Sequence, residues 1–229
     1  MSQESGFFDW IDCRIRKLIS ENKPDFNGDV FTWNDYKFVS SNNYCVYQTE
    51  DLHLRHKLNV DYKKFLDGAK HVFDFSSQNL LIYPRAIHLP IKLEKIPQKN
   101  IITKNEIVFY GYITDRRKKF LNQIEGNKIP IKITGGQYGK NLNTLLAQHN
   151  FVLSIGSYDN LTNNSFRIIP AIENGCIVLA EKSTENWFNE YLFKECPDRI
   201  IFFNENTMIE TIKAAISGEL QNVVPKNKI

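Results

Sequence analysis

Three arginines, a glycine turn and a cluster of hydroxyl and amide side chains carry the chemistry in this chain. An apolar run, Ile107 to Tyr110, stops at Gly111, and after a Thr114-Asp115 cap come Arg116, Arg117, Lys118 and Lys119. A strand that ends in glycine and opens a helix offers backbone N–H groups and a positive helix end to a phosphate. Guanidinium forks add paired, charged donors. Arg116 and Arg117 are therefore candidate diphosphate ligands, with Lys118 and Lys119 facing solvent; a glycine turn before a solvated basic helix face is the alternative these residues leave open. Further along, polar residues from Ser157 to Ser165 follow the apolar run FVLSI and lead into a helix bearing Arg167. Loops at strand carboxyl ends are where open α/β sheets place ligands, so Tyr158, Asn164, Ser165 and Arg167 are candidate contacts.

Between these two segments lies TGGQYGKN, Thr134 to Asn141. It departs from the phosphate-cradling G-x-x-x-x-G-K-[ST] loop, because only three residues separate Gly135 from Gly139 and Asn141 stands where a magnesium-binding hydroxyl is required. A strand-to-helix turn explains it, and its glycines also let a planar base approach closely. The histidines belong to no H-E-x-x-H motif, and Ser/His/Asp chemistry lacks its G-x-S-x-G elbow. His53 and His56, with Glu50 and Asp51, form a mixed cluster fit for acid/base work if it lines a cleft, and otherwise a solvated polar segment.

These groups must be held by a fold, and the chain is long enough to bury a core: 229 residues, 42% hydrophobic and 24% charged. The net charge of +3 is small for a protein that neutralises many phosphates, so a nucleic-acid partner is not expected. Four widely spaced cysteines, Cys13, Cys45, Cys176 and Cys196, form no C-x-x-C pair and read as free thiols in a reducing, cytoplasmic setting, with no metal site. No apolar run is long enough for a membrane span.

The elements that position the candidate residues follow from periodicity. Phe8 to Glu21 reads as an amphipathic helix, Asn22 to Asn43 as irregular, Tyr44 to Tyr47 as a strand, Asp61 onward as a helix, His71 to Phe75 as a strand and Ala86 to Leu89 as another. Pro90 to Lys104 carries linker character. Beyond it, strands at 106–110, 130–133, 151–155, 176–180 and 199–203 alternate with helices at 115–125, 140–149, 165–174, 184–194 and 205–217. Pro170 falls inside one of these helices, so that helix is kinked or starts late. Alternation of this kind implies right-handed crossovers and a parallel sheet covered on both faces. The expected fold is α/β, a Rossmann-like doubly wound parallel sheet over 96–229 preceded by a reduced α/β lobe over 1–95.

Several pieces in order, VYQTEDL, AKHVFDFSSQN, IHLPI, IVFYGYITDRRKKFL, GQYGKNLNTLLAQHNFVLSIGSY and FRIIPAIENGCIVLAE, resemble GT-B-type glycosyltransferases with a group-1-like C-terminal lobe and a shortened N-terminal lobe. The resemblance spans about Tyr44 to Glu181. It implies transfer of a sugar from a nucleotide diphosphate sugar to a hydroxyl acceptor, with no cofactor beyond that co-substrate and no metal. It places Gly111, Arg116 and Arg117 at the diphosphate, and Tyr138 and Gly139 at the base. The loop from 156 to 167 then meets the sugar and ribose, and the N-terminal lobe, with Glu50 and Asp74, faces the acceptor, Glu50 being the candidate catalytic base if configuration inverts. The chain departs from the family's acidic pair, whose places hold Thr162 and Pro170, and from related members at Gly156 and Asn164. A catalytically degenerate nucleotide-sugar-binding protein or non-catalytic partner of the same fold is thus the alternative.

Overall fold

The computed structural model describes residues 5–32, 42–53, 59–99, 106–135, 137, 139–159 and 162–219, with the backbone alone for 5–12. The chain divides into two compact units, one formed by Phe7–Ile91 and the other by Lys92–Ile229 together with the first six residues. Each is built on its own parallel sheet with helices between the strands, an α/β, Rossmann-like arrangement.

In the first unit the helix α1 (Ser5–Asn22) precedes four strands, β1 (Asp29–Phe31), β2 (Tyr44–Gln48), β3 (His71–Asp74) and β4 (Ile87–His88), hydrogen-bonded side by side in sequence order. β1 lies within the stretch read as irregular: three residues are too few to show a period of two, and pairing of Asp29–Phe31 with Tyr44–Val46 makes the strand. Helix α2 (Val60–Gly68) begins where Asn59 accepts a hydrogen bond from the Tyr62 amide, and it buries Tyr62, Phe65 and Leu66 against Val46, Val72 and Tyr83. A single 3₁₀ turn, Asn79–Leu81, follows β3.

The second unit runs β5 (Ile107–Tyr110), α3 (Asp115–Gly126), β6 (Ile131–Thr134), α4 (Gly139–Ala147), β7 (Phe151–Ser154), α5 (Ser165–Glu173), β8 (Ile177–Glu181), α6 (Asn186–Glu195), β9 (Ile200–Phe203) and α7 (Met208–Ser217). Every strand pair is parallel, in the order β6-β5-β7-β8-β9. Strands β5, β7 and β8 are buried throughout, as their unbroken apolar runs require. Phe109, Phe120, Ile124, Leu153, Leu179 and Ile212 meet in one core.

Helix α5 starts at Ser165 and continues through Pro170, which brings no N–H for the Phe166 carbonyl four residues back. It ends at Glu173, and two residues on Gly175 turns the chain away with a φ of +85 that a side chain rarely adopts. The segment 92–99 is fastened to the second unit: the Leu93 amide donates to the Tyr191 hydroxyl (2.7 Å), Glu94 N to Glu173 (2.8 Å), and Arg199 to the Pro97 carbonyl (2.5 Å).

Candidate functional site

In the second unit, β5 has β6 on one side and β7 on the other, so the chain leaves the two central strands in opposite directions. The crevice at the carboxyl ends of such a pair is where open α/β sheets take ligands. Here that edge is formed by Gly111 after β5 and by Ile155 to Asp159 after β7. Thr114, the N-cap of α3, ties the two loops together by donating its hydroxyl to the Ser157 carbonyl (2.9 Å) while its oxygen receives the Arg117 amide.

Gly111 has a φ of +122, and its amide donates to Thr134 O (3.1 Å) across the sheet. A Cβ built on it would overlap Nη2 of Arg167. The glycine is thus required twice, by its backbone conformation and by the guanidinium lying against it. Gly139 also has a positive φ, +50, at the start of α4, the helix that follows β6, the strand next to β5. Tyr138 lies outside the described residues.

The three arginines meet here but are used differently. Arg116 forks onto Glu181 (Nη1 to Oε2 2.8 Å, Nη2 to Oε1 2.5 Å), and also donates to Asp159 (3.0 Å) and the Gly156 carbonyl (3.1 Å). Its hydrogen bonds to Glu181 raise its pKa above the ordinary arginine value. Arg117, buried, donates to the carbonyls of Ile155 (2.9 Å) and Tyr112 (2.8 Å). Burial, then the charge of Arg167, pulls its pKa down to about 9, which leaves it cationic at neutral pH.

Arg167, on the first turn of α5, makes one side-chain hydrogen bond among the described residues, Nη1 to Ile155 O at 3.3 Å, lies over the Tyr110 ring at 5.7 Å, and shares the Phe109 ring with Arg117 at 5.3 and 5.7 Å. Its Nε is sealed from water with no hydrogen-bond partner among the described residues. Burial lowers its pKa as well. The Ser165 and Ser154 hydroxyls, both buried, are likewise without a partner among the described residues. Three orphaned polar groups thus fall between residues 154 and 167, at the carboxyl edge of one sheet. Buried donors of this kind await water or a ligand. The N-cap of α5, Asn164, makes no side-chain cap bond, so the helix's positive end is not closed by that residue.

No protein family and no curated protein matches the sequence. Among solved structures, an alpha-glucosyltransferase in complex with UDP and a 13-mer DNA containing an HMU base is similar to this chain at 14% identity and a TM-score of 0.46, covering 89% of this chain and 75% of that one. A likeness of that size speaks to none of the residues above.

Of the candidate residues, Gly111, Arg116, Arg117, Tyr158, Asn164, Ser165 and Arg167 lie on the segments that follow β5 and β7 at one sheet edge, and Gly139 opens the helix after the neighbouring strand β6. Glu50 belongs to the other unit, on the loop after β2, where Gln48 (3.2 Å) and Asn79 (2.8 Å) donate to its carbonyl. Asp74, 1% exposed, accepts from the Ser76 amide (2.9 Å) and Asn79 (3.0 Å), fixing the turn after β3. His56 lies outside the described residues. Among the described residues no group of three or more His, Cys, Asp or Glu is placed to hold a metal ion, and no helix is long and apolar enough to cross a membrane. Sequence reasoning passed over Glu181 and Glu185. Their one signal is a carboxylate ending, or closely following, a run as apolar as CIVLA, where a charge needs a partner.

Proposed function

We propose that this protein is a GT-B-type glycosyltransferase that moves a sugar from a nucleoside diphosphate sugar to a hydroxyl acceptor. The observation that carries the proposal is the set of orphaned buried groups, Arg167 Nε with the Ser165 and Ser154 hydroxyls, at the point where the sheet order reverses. A diphosphate seated at the start of α5 satisfies the Arg167 guanidinium and the Ser165 hydroxyl and meets the positive end of the helix.

In the reaction the bond between the anomeric carbon and the diphosphate oxygen breaks, and the acceptor oxygen bonds to that carbon. Negative charge grows on the leaving diphosphate, so a fixed cation and oriented N–H groups favour the transition state over the ground state. Arg167 supplies the cation directly. Arg116 and Arg117 stand behind it, one shaping the loop and the other adding positive potential from a buried position. Gly139 and Tyr138 border the base, and Tyr158 and Asn164 the sugar and ribose. Glu50, or another acid of the first unit, takes the proton of the acceptor hydroxyl if configuration inverts. The positive charge that meets the leaving group comes from side chains and helix, so the reaction as proposed runs without a metal.

Calorimetric titration with UDP- and GDP-sugars tests the reading. Wild type binds one of them, and Arg167→Ala weakens that binding about 100-fold, as removal of a charged hydrogen-bonding partner does. An unchanged affinity in Arg167→Ala, or no binding by wild type, removes the proposal. The non-acidic Thr162 and Pro170 favour a second reading, a binding protein of the same fold without turnover. Donor hydrolysis in the absence of acceptor separates the two, since a transferase releases free sugar slowly and a binding protein returns the donor intact.

A further inference from the structure

The segment between β7 and α5 meets the site at both ends, and at each end a buried glutamate from the next part of the chain holds it. At its start, Glu181 Oε2 receives the Gly156 amide (3.0 Å) and one fork of Arg116, whose other fork takes Oε1. Arg116 returns to the same residue by donating to the Gly156 carbonyl. Gly156 follows Ile155, whose carbonyl receives both Arg117 and Arg167.

At the far end, Glu185, 1% exposed, accepts from the Asn163 amide (3.1 Å) and the Asn163 side chain (2.9 Å) through Oε1, and from the Trp187 indole (2.8 Å) through Oε2. The Asn163 oxygen then receives the Ser165 amide (3.3 Å). Each carboxylate thus acts at one remove on one of the groups assigned to the diphosphate: Glu181 on Arg167 through residues 155 and 156, Glu185 on Ser165 through Asn163.

We infer that Glu181 and Glu185 are positioning residues that hold the two ends of this loop so that Arg167 and Ser165 converge on one anion; the inference rests on the proposed diphosphate site. Both carboxylates are taken up by the protein, because each accepts at least three hydrogen bonds among the described residues. Both are buried, so their partners are held without competition from water, and such support shells set affinity through the groups they orient.

The test is calorimetric titration of the full chain with UDP and with GDP. Glu181→Gln and Glu185→Gln, which keep side-chain shape, each weaken the bound nucleotide about tenfold. Glu205→Gln, which breaks only the exposed pair with Lys119, leaves affinity unchanged. The deciding readout is a double-mutant cycle. Once Glu185→Gln has released the loop, adding Ser165→Ala changes affinity less than twofold, although Ser165→Ala alone costs about tenfold.

A merely structural glutamate makes the two losses multiply, and that result, or unchanged affinity in both Gln variants, overturns the inference. If Glu185→Gln does not fold, Trp187→Phe removes one hydrogen bond to the same carboxylate and weakens binding about threefold, and no loss there counts against the inference equally. Failure of wild type to bind either nucleotide is a different outcome: it removes the diphosphate site and, with it, what the glutamates position.

Discussion

The two units end their parallel strands in polar residues, yet they spend them in opposite ways. After β2 and β3 of the first unit most of the groups bond to one another: Tyr62 donates to Gln48, Tyr47 to the Leu89 carbonyl (2.5 Å), Asn79 to Asp74 and the Glu50 carbonyl, while the Asn79 oxygen takes the Leu52 amide (2.9 Å), although His53 Nε2 is buried with no hydrogen-bond partner among the described residues. Burial and the nearby acids raise the Tyr47 and Tyr62 hydroxyls well above the ordinary tyrosine value, so both stay protonated donors. After β5 and β7 of the second unit, two arginines are engaged and a third keeps a sealed nitrogen with no hydrogen-bond partner among the described residues. Sheet order accounts for the contrast. Strands laid down in sequence order leave no reversal, whereas the second sheet turns back between β5 and β7, the kind of point where open α/β sheets take ligands. A polar network closed on itself holds a fold; one left short of partners at a crevice is fit to hold a ligand.

That comparison breaks most sharply at Gly111. Gly111→Ala combines a φ of +122 with an overlap on Arg167 and is expected to cost about 3 kcal/mol in urea unfolding, with nucleotide affinity falling at least tenfold in calorimetry. A normal affinity there means that Arg167 is not the ligand. Next comes Asn79→Ala, which opens the closed network of the first unit and removes partners from Asp74, Glu50 and Leu52. It is expected to lower stability by about 2 kcal/mol while leaving nucleotide affinity within about twofold of wild type. Thr114→Ala removes the α3 cap and the tie to Ser157, for about 1 kcal/mol by thermal unfolding and a small loss of affinity.

The smallest effect is a pH dependence in the first unit. At the amino ends of its strands a cleft of ≈ 470 Å³ is lined by Lys23, Lys70 and His71 among others. Burial, then the charges of Lys23 and Lys70, lowers the His71 pKa below its unfolded value of about 6.5. The unfolded chain therefore takes up the proton first. Stability is intact above about pH 6.5 and declines as pH falls from there toward the folded pKa. Urea midpoints measured at pH 7.5 and 5.5 should differ in wild type and differ less in His71→Gln.

Much of the frame was legible in the residues. The alternation from 106 to 217 marks five strands and their helices because a buried parallel strand and an amphipathic helix each write a local period into the chain. Short elements such as β1 write none. The roles of the arginines were not legible either: Arg116 and Arg117 are neighbours of one residue type, and nothing local says that one is taken by a carboxylate 65 residues away and the other by backbone carbonyls. The reading of Arg167 as a contact came from its place after a strand, without sign that it would be the arginine with an unmet donor.

By itself, then, the sequence determined which of the longer segments are strands and helices and which loops carry glycine, arginine and hydroxyl groups, since these follow from periodicity and residue type within a few turns of chain. Only the tertiary structure decided the order β6-β5-β7-β8-β9, and with it which loops face one another. Ion pairing and burial depend on neighbours in space, so the neutralisation of Arg116 by Glu181, the clamp of Glu185 on Asn163 and the unmet Nε of Arg167 emerge only when the sheet is assembled.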